Sequence, residues 1–148
     1  MGRFTEDDLR RYLAAFNTRD YETVHSYFDP DVVLELPPGR RLAGKDAIRA
    51  HYDGLHSAVR ELLALDFCMV SDERIAIELY TEFRAFAART SPFFGDLKPG
   101  DVFRCTNMVH YDLRGGRFHR IRVAAYRVWD EGERTEPKAF PGLEPAGV

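Results

Sequence analysis

The stretch RYLAAFNTRDYETVHSYFDPDVVLELPPG, residues 11–39, decides the architecture. Its first part continues a helix that starts near residue 6, because Thr5 followed by Asp8 is a capping-box pattern, with Phe4 and Leu9 placed as a hydrophobic staple. Leu9, Tyr12, Leu13 and Phe16 fall at i, i+3, i+4 and i+7, the buried stripe of an amphipathic helix. Tyr12 is the odd member of that stripe. A buried phenol needs a hydrogen-bond partner, so it is tied to another core residue or it faces a cavity. Asn17-Thr-Arg-Asp20 breaks the helix. Tyr21, Val24, Tyr27 and Phe28 then suggest a second short helix, ended by Asp29-Pro30. DVVLEL reads as a strand, stopped by Pro37-Pro38-Gly39.

Outward from this stretch, Ile48, Tyr52 and Leu55 mark the inner face of a third helix over about Lys45–Ser57. From Arg60 the apolar period changes from 3.6 to 2. ELLALDFCMV, the turn SDER and IAIELYTEFRAFAA form one hairpin; SPFFGDLKPG is a loop. DVFRCTNMVHYDL, RGG and RFHRIRVAAYRVW form a second hairpin. This predicts an α+β domain over residues 1–129: a cone-shaped barrel of strongly bent, mostly antiparallel sheet, with three N-terminal helices on its concave face. Residues 130–148, with three prolines and no periodicity, are expected to form a mobile tail. The outer sheet face still carries apolar side chains, and a second copy is the simplest cover, so a homodimer is expected.

The 148 residues carry a net charge of −3 with basic and acidic side chains interspersed, which argues against nucleic acid as a partner. No apolar run reaches membrane-spanning length, and MGRFTEDDLRRY lacks the apolar core of a signal peptide. Two isolated cysteines, Cys68 and Cys105, fit a reducing cytoplasm and small core positions. There is no HxxxH or HExxH spacing, no glycine-rich phosphate loop and no GxSxG elbow, so neither a metal nor a cofactor is expected.

The string quoted above, together with RRLAGKDAIRAHYDGL and VHYDLRGGRFHRIRV, resembles the nuclear-transport-factor-2-like superfamily, in particular its SnoaL-like polyketide cyclase and ketosteroid-isomerase branch. The resemblance covers about residues 6–128 and rests on three motifs: the helix ending in Asn-x-x-Asp, the Phe-Asp-Pro-Asp strand entry, and Gly-Lys-Asp-Ala-Ile opening the third helix. It implies a cone with an apolar pocket, usually dimeric, serving isomerases, cyclases, dehydratases, epoxide hydrolases and plain binders. It also implies that Tyr12 and Tyr52 match the two tyrosines that serve the oxyanion in ketosteroid isomerases. The aspartate base of those enzymes is replaced by Leu36, and their second oxyanion donor falls at Asn107 or Met108.

Strand alternation places Phe103, Cys105, Val109 and Tyr111 on one face with Asn107 among them. Asn107 either donates to a substrate oxygen or satisfies a neighbouring group, and Tyr12 either pairs with Tyr52 or donates to a ligand. His56, near the end of the third helix, is the candidate base. Tyr52, Phe16, Leu36 and Thr81 are expected to contact the substrate, as are Phe83, Phe103, Val109 and Val123. Glu82-x-Arg84 resembles the carboxylate–arginine pair of limonene-epoxide-hydrolase-like members. Its other reading is a charge ladder of Glu78 and Glu82 against Arg120 and Arg122. His110 is spaced to pair with Asp112 on the outer face. The expected function is proton transfer on a hydrophobic carbonyl compound, of isomerase, cyclase or dehydratase type. A non-catalytic binder of an apolar metabolite and an epoxide-hydrolase-like enzyme are the alternatives.

Overall fold

The computed structural model describes residues 3–129 and 140–143. Among these are three helices, α1 (Glu6–Asn17), α2 (Tyr21–Ser26) and α3 (Lys45–His56). The strands are β1 (Phe28–Leu36), β2 (Arg40–Ala43), β3 (Val59–Val70), β4 (Arg74–Ala85), β5 (Arg89–Ser91), β6 (Gly95–Leu97), β7 (Val102–Arg114) and β8 (Arg117–Trp129). None of the described helices is long and apolar enough to cross a membrane.

The start of α1 follows from its first residues. Asp8 N–H donates to Thr5 Oγ1 at 3.2 Å, and Thr5 N–H donates to the Asp8 carboxylate at 2.8 Å. Glu6, Asp7 and Asp8 lie in the first turn, where the helix dipole favours negative charge. The other face buries Leu9, Tyr12, Leu13 and Phe16 in the main core, with Phe28 and Val32 of β1 and Ile75, Ile77 and Leu79 of β4. A second cluster holds Leu55, Val59, Phe83 and Cys105, with Phe94 and Phe103 packed against it.

Six strands form one sheet in the order β2-β1-β8-β7-β4-β3, and β5–β6 is a separate small hairpin. Neighbours are antiparallel except β1 and β8, which run parallel. The edge strands β2 and β3 do not pair with each other, so the cone is open rather than a closed ring. Register slips between Leu65 and Phe67, between Thr106 and Asn107, and between Asp112 and Leu113. Each irregularity increases local bend and twist, which curls the sheet around the helices.

Several local expectations change. Phe28 belongs to β1, not to α2, because it pairs with Phe118 of β8 while Phe118 N–H donates to Tyr27 O at 2.8 Å. Arg40–Ala43 folds back as β2, and the predicted loop at 91–100 carries part of the β5–β6 hairpin. The charge ladder also differs, because β4 neighbours β3 and β7, not β8. Glu82 pairs with Arg84 at 2.9 Å and Arg104 at 3.8 Å; Arg120 pairs with Glu35 at 3.0 Å and Arg122 with Asp112 at 3.4 Å. Asp112 thereby faces arginines rather than His110, with Arg74 its second partner at 3.3 Å.

The tail expected from residue 130 lies outside the described residues except for 140–143. Those four rest on the domain. Pro141 is buried, the Phe140 ring lies 6.4 Å from that of Tyr80, and Pro141 O accepts from Asn17 Nδ2 at 2.9 Å. Gly142 has φ +83°, and a Cβ there would sit 3.0 Å from the Ala14 carbonyl oxygen.

Candidate functional site

The inner faces of α1, α3 and the sheet enclose a cavity of about 120 Å³. Its floor is buried: Tyr12, Phe28, Leu34, Leu63, Leu79 and Tyr111. Its mouth is lined by half-buried residues, among them Leu36, Pro37, Arg40, His51, Ser91 and Phe93. That volume is below the roughly 300 Å³ of a drug-sized pocket. At about 30 Å³ per water it holds on the order of four waters, room for the body of about one ring, and anything longer reaches out through the mouth.

Tyr12 lies on the floor with its ring 4.9 Å from Phe118 and 5.6 Å from Tyr27. Its hydrogen-bonding neighbour is Tyr111, whose hydroxyl donates to it, not Tyr52. Tyr52 instead packs on Phe16 at 5.3 Å and stacks on His56 at 5.2 Å. Burial, followed by the charge of Glu61, raises the pKa of both Tyr12 and Tyr52. Burial raises Tyr111 as well. All three therefore keep their protons and can serve as donors, not as bases.

Asn107 lines the wall, opposite Leu79 in the regular β4–β7 register and beside the irregularity of the β7–β8 pair. Its Nδ2 donates to Thr81 Oγ1 at 3.1 Å, and Cys105 Sγ donates to its Oδ1 at 3.7 Å. One N–H of the amide remains for a ligand. Burial, with the Glu61 charge, pushes the Cys105 thiol up to about 12, so it acts as a donor and not as a thiolate.

Of the residues singled out in the sequence, Tyr12, Phe16, Leu36, Tyr52, Phe83, Asn107, Val109 and Val123 line the cavity. Thr81 lies behind Asn107, fully buried, and Phe103 packs 6.1 Å from Phe83 in the second cluster. Neither touches the cavity, and nor does His56. The imidazole of His56 stands behind the wall: Nδ1 lies 2.5 Å from the Tyr21 hydroxyl and Nε2 lies 2.9 Å from Glu61 Oε2. Neither Glu82 nor Arg84 is in the cavity wall.

Glu61 is the residue that sequence reasoning missed. It lines the cavity, its side chain is 10% exposed, and it is the acidic side chain of the wall. Its Oε1 has no hydrogen-bond donor among the described residues. Nε2–H donates to the carboxylate, and the Tyr21 hydroxyl shares the second hydrogen bond with Nδ1. Arg19, whose guanidinium donates to Phe16 O and Glu61 O at 2.6 Å each, ties α1 to this point of β3. The signal was present in the alternation of β3, since Glu61 shares parity with Val59, Leu63 and Leu65. No group of three metal-ligating side chains occurs among the described residues.

The family model for the SnoaL-like domain matches residues 9–121. The chain belongs to the SnoaL-like family. No curated protein matches this SnoaL-like chain. Solved structures show the same fold at low identity. A candidate polyketide cyclase from Xanthomonas campestris is 21% identical, covering 78% of this chain and 84% of its own, with a TM-score of 0.68. An epoxide hydrolase from M. tuberculosis is 13% identical over 79% and 78% of the two chains, with a TM-score of 0.63. A computationally designed 17-OHP binder is 18% identical over 81% and 88%, with a TM-score of 0.61. At these identities the SnoaL-like chain shares a fold with all three and a chemistry with none in particular.

Proposed function

We propose that this SnoaL-like chain is a small-molecule enzyme that moves a proton on a hydrophobic carbonyl compound, in an isomerase-, cyclase- or dehydratase-type reaction. The observation that carries the reading is the Glu61 carboxylate, held in an apolar wall against His56 at 2.9 Å. A carboxylate withdrawn from water is costly to fold, and a pocket that keeps one is arranged for its chemistry.

Glu61 is the general base, and His56, anchored by Tyr21, is its positioning residue. Glu61 takes a proton from the carbon next to the carbonyl. The C–H electron pair moves into the carbonyl, and the developing oxyanion receives the Tyr12 O–H and the free Asn107 N–H. The protonated Glu61 then returns its proton to another carbon, or to a leaving oxygen in the dehydratase case. Tyr52, Phe16, Leu36, Phe83, Val109 and Val123 supply apolar contact, while Thr81 and Phe103 hold Asn107 and Phe83 from behind.

The test is turnover of small cyclic carbonyl compounds. Glu61→Gln and Tyr12→Phe are each expected to lower kcat by about 10²–10³-fold. Folded variants with unchanged turnover overturn the assignment. The competing reading, a non-catalytic binder, draws on Leu36, an apolar residue where the resembling isomerases carry their base. Native mass spectrometry decides between the two, since a binder retains its ligand chemically unchanged.

The partner proposal is a second copy of the chain through the outer sheet face. Phe67, Glu78, Met108 and Ala124 form one row across β3, β4, β7 and β8 on that face. Phe67 is 47% exposed, Met108 38% and the neighbouring Met69 64%.

A further inference from the structure

We propose that the mouth of the cavity is a carboxylate subsite, in which Arg40 holds the carboxylate of a small apolar acid whose body extends toward Glu61. The inference rests on the proton-transfer reading for the reaction at Glu61, but not for binding.

Arg40 is the cationic side chain of the cavity wall, half-buried at the end of the β1–β2 turn and opposite Leu36 in the register. Among the described residues it has no carboxylate partner. Its nearest polar neighbour is His51 on α3, with Nη2 3.4 Å from Nδ1. Burial and the Arg40 charge lower His51 to about 4, so at neutral pH it is an uncharged ring that accepts from Arg40 and leaves the guanidinium charge uncompensated. Arg89 on β5 adds to the positive potential at His51, and its buried Nε has no hydrogen-bond partner among the described residues. Ser91, two residues further on β5, brings a hydroxyl to the same rim.

A guanidinium fork in a partly dry rim matches a planar carboxylate. A phosphate dianion fits less well, because the wall contributes one guanidinium and Glu61 already brings a negative charge to the same cavity. The opposite signs of Arg40 and Glu61 orient such a ligand, with its anionic end at the mouth and its apolar body in the floor. The cavity volume limits that body to about one ring.

The probes are phenylacetate and its neutral isostere phenylacetamide, titrated calorimetrically at about pH 7.5, where the acid is ionised. The unaltered full chain is expected to bind the acid at least about tenfold more tightly than the amide. Arg40→Met, which keeps the aliphatic stem, is expected to bring the acid within about twofold of the amide. Arg40→Gln serves as the second variant should the Met variant melt early. Equal affinities in the unaltered chain, a preference that survives both substitutions, or no acid binding below about 10 mM overturns the subsite. Glu61→Gln leaves Arg40 untouched and is expected to keep the preference for the acid. The proton-transfer reading can therefore fail while the subsite stands, and the reverse.

Discussion

At the scale of single residues, Tyr12 shows why a phenol stands on an apolar helix stripe. It is tied on one side, through Tyr111, and open to the cavity on the other. His51 gives a prediction in pH. Its folded-state pKa lies below its ordinary 6.5, at about 4, so it stabilises the fold fully above pH 6.5 and loses that contribution as pH falls toward 4. Discounted for its partial exposure, the loss is about 1 kcal/mol, and His51→Gln is expected to flatten that part of the curve in urea titrations at stepped pH. Tyr12 and Asn107 were legible because period 3.6 and period 2 assign faces directly. Glu61 was not, since a glutamate at a strand's start ordinarily faces solvent. Its partner His56 belongs to the preceding helix, and Tyr21 lies further away still, on α2, so no local spacing joins the three.

At the scale of elements, Asn17 performs the work of a missing strand. Its carboxamide accepts from Leu63 N–H at 2.8 Å and donates to Leu63 O and Pro141 O at 2.9 Å each, so the end of α1 docks on the free edge of β3. Asn17→Ala leaves these buried backbone groups without partners and is expected to cost about 2–3 kcal/mol in denaturant midpoint analysis. The long hairpins were legible because each carries several periods of alternation. The four-residue β2 and the three-residue β5 and β6 were not, because a segment that short holds less than two periods. The partner of β1 was also hidden: it pairs parallel with β8, the farthest strand in sequence, and only the closing of the cone brings them together.

At the scale of the whole molecule, the exposed Phe67, Met69 and Met108 on the outer face predict a dimer in solution by light scattering. Met69→Glu combined with Met108→Glu is expected to yield folded monomers, since charges in the core of such an interface are strongly disfavoured. A monomer in the unaltered chain removes the partner proposal but leaves the cavity chemistry untouched. The seat of residues 140–143 has a separate consequence. Because Pro141 shares the Asn17 amide with Leu63, a proteolytic nick ahead of residue 140 would be felt along α1, the helix that carries Tyr12. Limited digestion of the far terminus thus becomes a way to loosen the cavity floor without altering any residue in it.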